Sequence, residues 1–335
     1  MHGVTRDEPS DVRGDAPLAI GRRNRYGGLV ESIGRTPVVE IARMSPNPAV
    51  HLFAKLEAAN PTGSVKDRVV RALVEDLEVS GRLHPDSILL EATSGNTGIA
   101  LAMIGRRKGY RVAVVMPDNV TLERRALIAL HGAEVIDSPG SLGSNGAIAL
   151  ARDLVARDPR FVMADQYANP ANPRVHEETT GPEILDAVPE LDVFVAGLGT
   201  GGTLTGVGRF LRRAKPGVRI IAAEPLPGEA VQGLRSLDDG FVPEVFDPTL
   251  LSDRYVVSNR EAVATARDLL EREGIFAGPS SGAILAVAAR VASAMEQGTI
   301  VALLPDGGWK YLSAGTYDRP LDDLEDALEG GVSWW

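Results

Sequence analysis

The chain has 335 residues, a formal net charge of −10 and no cysteine. The acidic balance excludes the broad basic face that nucleic acid requires, and the missing thiols exclude disulfides, thiolate metal sites and a cysteine nucleophile. Hydrophobic residues make up 44% and charged residues 24%, ordinary for a globular chain long enough to form two domains.

No apolar run approaches the length that crosses a bilayer, and the amino terminus lacks the charged-then-apolar pattern of a signal peptide. The expected setting is therefore cytoplasmic, with no membrane and no nucleic acid as partner. The five histidines (His2, His51, His84, His131 and His176) are scattered without a close ligand pair, so no metal is expected.

Residues 1–26 are polar and interrupted by glycine and proline, which predicts a flexible extension. "NPTGSVKDR" (60–68) follows: a turn, then Lys66 at the start of an apolar helical run. Most lysines are solvated surface charges, and this setting asks for another explanation. "SILLEA" (87–92), "RVAVVMP" (111–117), "AEVID" (133–137), "VFVAGLG" (193–199), "RIIAAEP" (219–225) and "TIVALLPDGG" (299–308) read as strands. Helical periodicity covers 98–108, 122–131, 144–156 and 260–273. Apolar strands alternating with helices predict an α/β fold of two domains, with mainly parallel twisted sheets covered by helices. The chain closes on an acidic helical segment, the pair Gly330-Gly331, and two tryptophans, Trp334 and Trp335.

Ligands in open α/β sheets bind beyond the carboxyl ends of strands, and three glycine-bearing loops fall there. "EATSGNTG" (91–98) places Thr93, Ser94, Asn96 and Thr97 around Gly95, a cradle for a carboxylate. An ordinary helix cap uses the same residue types but needs only one of them. "GLGTGGTLTGVG" (197–208) offers exposed backbone N–H groups for a phosphate. Its Gly197, Gly199 and Gly202, with Glu224 at the end of the next strand, also satisfy a dinucleotide fingerprint. An NAD-dependent dehydrogenase therefore competes, although it leaves Thr200, Thr203 and the other loops unexplained. "GPSSGA" (278–283) opens a helix expected to begin near Ala283, and its serines could serve only as a cap.

Together these motifs resemble the fold-type II pyridoxal-phosphate enzymes, of the tryptophan synthase β-like kind, and specifically the cysteine synthase family. The resemblance runs from "IGRTPVVEI" (33–41) to "LPDGGWKYLS" (304–313). It implies that pyridoxal 5′-phosphate is the cofactor and that Lys66 forms the Schiff base with it. Asn96 would bond the 3′-oxygen, Gly199, Thr200, Gly201, Gly202 and Thr203 would hold the phosphate, and Ser280 would face the ring nitrogen. Thr93, Ser94, Thr97 and Gln166 would take the substrate carboxylate. It further implies a larger cofactor-phosphate domain (27–59 plus 166–322), a smaller substrate-carboxylate domain (60–165) and a homodimer. Arg35 stands where the family more often has asparagine.

Residue chemistry agrees with that reading. A lysine becomes a nucleophile and base once burial lowers its pKa, and a neutral serine at the ring nitrogen makes a weaker electron sink than a carboxylate partner would. The implied reaction is β-replacement through an α-aminoacrylate. "AAEPLPGEAVQGLRSLDDGFVPEVFDP" (222–248) resembles the O-phosphoserine-dependent cysteine synthase M branch, in which Arg235 would pair with the substrate phosphate. Leu226 stands where relatives can carry a basic residue. That branch takes sulfur from a small thiocarboxylated carrier protein, and its tail can fold into the active-site mouth, the role expected of 323–335. O-acetylserine sulfhydrylase and cystathionine β-synthase are the nearest alternatives.

Overall fold

The computed structural model of the protein describes residues 25–93 and 95–322. Ser94, nearly all of the expected extension and the tail 323–335 with its glycine pair and tryptophans lie outside the described residues. In chain order the elements are β1 (Val38–Glu40), β2 (Val50–Leu56), α1 (Lys66–Val79), β3 (Ile88–Ala92), α2 (Asn96–Lys108), β4 (Arg111–Pro117), α3 (Leu122–Leu130), β5 (Glu134–Ser138), α4 (Gly143–Arg157) and β6 (Phe161–Met163). There follow α5 (Ala171–Val175), a π turn (His176–Thr180), α6 (Gly181–Ala187), β7 (Val193–Gly197), α7 (Gly202–Ala214), β8 (Arg219–Pro225), β9 (Asp253–Val257), α8 (Asn259–Glu273), α9 (Pro279–Ala294) and β10 (Gly298–Leu304).

The strands form a six-stranded sheet in the order β1-β2-β10-β7-β8-β9 and a four-stranded sheet in the order β5-β4-β3-β6. Every pairing is parallel except β1 with β2. Parallel sheets need cover on both faces, and the period-two alternation of strand side chains supplies two cores per sheet. Val193 and Val195 of β7 join the core under α8 and α9, while Phe194 and Ala196 join the core under α6 and α7. In the smaller sheet Leu89 packs toward α1 and α2, and its neighbours Ile88 and Leu90 toward α4.

Two boundaries differ from expectation. α9 begins at Pro279 rather than near Ala283, because Gly278 is an extended N-cap and Pro279 takes the first turn, where a missing N–H costs nothing. Ser280 and Ser281 therefore lie inside the first turn, and no side chain caps the helix. α2 begins at Asn96, two residues before the predicted start. No described helix is long and apolar enough to cross a membrane.

Candidate active site

The carboxyl ends of β3, β7 and β10 carry the loops that converge on Lys66. A turn delivers the lysine: the Gly63 N–H donates to the Asn60 carbonyl (2.8 Å), with Pro61 preset at the second position. Gly63 has φ +79° and a side chain there would strike the Trp309 ring, so glycine is required. Ser64 then bridges Asp306 across an antiparallel pair, the Val65 N–H donates to the Pro305 carbonyl (2.8 Å), and Lys66 opens α1.

Lys66 makes no side-chain hydrogen bond or ion pair with the described residues. Burial lowers its pKa to about 8, against the opposing pull of the Asp306 and Glu91 carboxylates. Two adjoining cavities of about 90 and 50 Å³ share the walls Lys66, Asn96, Gly199, Thr200, Gly233 and Leu234. The first adds Thr93, Thr97, Gln166 and Arg235; the second adds Gly201, Thr203 and Ser280. The larger groove of about 610 Å³ beside α1 lies elsewhere, and its Arg68, Arg71 and Arg174 are all paired with carboxylates.

Of the described residues implied by the resemblance, only Gly202 falls outside these walls: it is packed beneath, where a Cβ would lie 2.0 Å from Asn172 Oδ1. The Thr97 hydroxyl donates to Gln166 Oε1 (2.8 Å). The Thr93 hydroxyl accepts from the Gly95 N–H (3.1 Å), and no side chain of the described residues caps α2. Thr93, Asn96 and Thr97 are therefore not explained by helix capping.

The residues present fit pyridoxal phosphate. A Cβ on Gly199 would meet the Gly233 carbonyl at 2.8 Å, and Gly201 is left-handed (φ +79°) with Phe246 against it. Glycine there leaves bare backbone at the amino end of α7, suited to phosphate oxygens. Ser280 is buried at the second cavity, an uncharged group with no cationic or anionic partner among the described residues. Thr203 is backed by His176, whose Nε2 lies 3.3 Å from the threonine hydroxyl and whose Nδ1 lies 2.9 Å from Thr180 Oγ1. Burial, then the Arg68 and Lys66 charges, push the His176 pKa well down, so the ring is neutral. The π turn sets it there, as such turns often do at functional sites.

Asn172, Asp306, Lys310 and Arg124 contribute to the site although sequence reasoning assigns them no role. Asn172 Nδ2 donates both to the Gln166 carbonyl (2.7 Å) and to Thr200 Oγ1 (3.1 Å), joining the substrate loop to the phosphate loop. Asn96 is held by Asp306, which accepts from Nδ2 (2.7 Å), and by Lys310, which donates to Oδ1 (2.7 Å). Arg124 lines the first cavity, donates to Gln232 Oε1 (2.7 Å) and lies 4.8 Å from the Tyr311 ring centre. Arg235 lies over Phe241 (4.8 Å) and Tyr167 (5.3 Å), rings that meet edge to face, and its guanidinium forms no ion pair with the described residues. Glu224 is taken up by the Leu237 N–H (3.0 Å) and Arg254 (3.2 Å), which leaves no free carboxylate for a ribose.

The family model for pyridoxal-phosphate dependent enzymes matches residues 29–306. The chain is 42% identical over 290 residues to cysteine synthase B of Escherichia coli (strain K12), covering 86% of this chain and 95% of that protein. It is 43% identical over 312 residues to O-ureido-L-serine synthase of Streptomyces lavendulae, covering 90% and 96%. Among solved structures, O-ureido-L-serine synthase superposes with a TM-score of 0.83 at 42% identity, over 90% of this chain and 99% of that one. Cysteine synthase from Entamoeba histolytica matches with a TM-score of 0.83 at 33% identity, over 96% and 99%. These findings favour the cofactor read from Lys66 and the three loops over a nicotinamide. The chain belongs to the pyridoxal-phosphate-dependent enzyme family, within its cysteine synthase branch, and is a β-replacement enzyme that uses pyridoxal 5′-phosphate.

Proposed function

We propose that the enzyme makes L-cysteine, or a cysteine–carrier adduct, from O-phospho-L-serine and sulfur delivered by a thiocarboxylated carrier protein. The observation that carries this reading is Arg235: a guanidinium braced by two aromatic rings and without a carboxylate partner among the described residues, on the wall shared with Lys66 and Thr97. A planar fork with several donors suits a phosphate better than a neutral acetyl ester.

Pyridoxal phosphate, when bound through Lys66, supplies the electron sink for bond changes at Cα and Cβ. The chain supplies the rest. Thr93, Ser94, Thr97 and Gln166 would hold the substrate carboxylate. Asn96, Ser280 and the 199–203 loop would hold the cofactor at its 3′-oxygen, ring nitrogen and phosphate. Lys66, once released by the incoming amino acid, would take the Cα proton. Arg235 would hold the phosphate as the Cβ–O bond breaks and a Cβ–S bond replaces it. We assign residues 60–165 to the substrate-carboxylate domain and 27–59 plus 166–322 to the cofactor domain. A second reading, O-acetylserine sulfhydrylase, puts an uncharged acetyl ester in the same place.

The test compares Arg235→Ala with the parent on O-phosphoserine and O-acetylserine. A charge-assisted contact is worth about 1.5–3 kcal/mol, so kcat/KM for O-phosphoserine should fall roughly 10- to 150-fold, with a much smaller loss on O-acetylserine. Equal losses on both substrates would leave Arg235 a structural residue and favour the uncharged ester as substrate.

A further inference from the structure

We propose that Lys310 and Asp306 are positioning residues that lock the Asn96 amide in one orientation and tie it to the turn before Lys66. Lys310 then acts on cofactor binding through Asn96. This rests on the reading of Asn96 as a cofactor contact.

Lys310 follows Trp309 in a short turn (Gly308–Tyr311), and its side chain is fully buried. Its Nζ donates to Asn96 Oδ1 (2.7 Å) and to the Gly63 carbonyl (3.1 Å). On the other side of the same amide, Asp306 Oδ2 accepts from Asn96 Nδ2 (2.7 Å) and from the Tyr311 hydroxyl (2.6 Å). An ammonium only donates and a carboxylate only accepts, so an amide between them has a single orientation. Had both neighbours been hydroxyls or amides, either flip would have been satisfied.

The two charges act on the amide in the same sense. The cation draws density toward Oδ1 and the anion holds one hydrogen of Nδ2, which leaves the second hydrogen polarised and aimed by a fixed group. Asn96 and Lys66 share the walls of both cavities. The Gly63 carbonyl bound by Lys310 lies three residues ahead of Lys66, in a loop also paired with Pro305 and Asp306. One buried ammonium therefore sets both the donor and the amine. Burying opposite charges around an amide is costly against an apolar packing of the same volume, and the orientation of Asn96 is what this arrangement provides.

A double-mutant cycle tests the idea in the apoenzyme, with pyridoxal phosphate affinity measured by equilibrium dialysis. Lys310→Met and Asn96→Ala should each weaken binding at least tenfold. The double variant should bind within about twofold of Asn96→Ala alone, because Lys310 then has no amide to orient and the turn before Lys66 stays held by its backbone pairs with Pro305, Asp306 and Gly307. Losses that multiply in the double variant would overturn the proposal while leaving Asn96 a cofactor contact. Unchanged affinity in Asn96→Ala would overturn that contact itself. Unchanged affinity in Lys310→Met would overturn the proposal alone. Should Lys310→Met fail to fold by circular dichroism, Lys310→Gln keeps a donor for Gly63 without the charge and takes its place, with the same outcomes expected.

Discussion

Lys66 is an amine placed where a proton is hard to keep. Burial brings its pKa down from 10.5 to about 8, and the Asp306 and Glu91 carboxylates limit the fall. Because the shift is downward, the amine is neutral above about pH 8 and protonated below it. Acylation of Lys66 in the apoenzyme, followed by mass spectrometry across pH, should rise with a midpoint near 8. A midpoint of 10 or above would mean a solvated amine and would remove the argument for its reactivity. Lys66→Ala should lose β-replacement by several orders of magnitude while keeping its fold, and turnover within tenfold of the parent would assign the chemistry to another residue. The loops around this lysine were legible in sequence because glycines and hydroxyls at strand ends have few structural uses. Lys310, Asn172 and His176 were not. Each looks like an ordinary polar residue in its own segment, and its role depends on partners far along the chain: Asn96, Thr200 and Thr203.

At the level of elements, the phosphate loop depends on how closely α7 approaches the α5–π turn. Gly206 of α7 has no room for a side chain, since a Cβ would lie 2.1 Å from the Pro173 carbonyl and 2.7 Å from His176 Cβ. Backbone cannot yield as a flexible side chain does. Gly206→Ala should cost about 1–3 kcal/mol of stability, read as a lower urea midpoint, and should weaken cofactor binding by displacing His176 from Thr203. An unchanged midpoint would mean that the two helices can separate freely. Five of the six strands read from sequence, β3, β4, β7, β8 and β10, hold a buried apolar run of three or more residues, as parallel strands covered on both faces do, while β5 is an edge strand with Glu134 and Asp137 exposed. β2 was missed because His51 and Lys55 interrupt "VHLFAKL", and the structure buries Lys55 against Glu183 (2.7 Å). β1 and β6 have only three residues each, and β9 is an edge strand with alternating exposure. Short and edge strands are fixed by their neighbours more than by their own residues. The helix patterns agree with the structure to within a few residues, and the largest displacement is at α9, where Gly278-Pro279 reads as loop.

Across the whole molecule, α1 must hold Lys66 steady between the two sheets, and a buried charge network anchors it. Arg68, two residues beyond Lys66 on α1, pairs with Glu57 (2.8 Å) and Glu183 (2.7 Å), and Lys55 of β2 also pairs with Glu183 (2.7 Å). Glu183 further accepts from the Arg35 N–H (3.0 Å). Arg35 has φ +48°, a left-handed conformation that asparagine tolerates better, which gives a backbone reason for the family's preference there. Two cations and two carboxylates balance, so the network joins the 34–36 segment, β2, α1 and α6 without net charge. Burial alone would raise the Glu183 pKa, but the hydrogen bonds and charge of Arg68, then Lys55, hold it at about 2. A depressed carboxylate pKa contributes stability that is present above the ordinary value of 4.5 and is lost as pH falls toward 2. A shift of that size corresponds to about 3 kcal/mol, in the range expected when one partner of a buried pair is removed. Glu183→Gln should therefore be less stable than the parent by about 3 kcal/mol at pH 7. The gap should stay constant down to about pH 5 and close between pH 4.5 and 2, as the parent's own carboxylate takes a proton. Urea unfolding at a series of pH values reads both. A gap that persists undiminished at pH 3 would show that Glu183 stabilises the fold by packing rather than by charge.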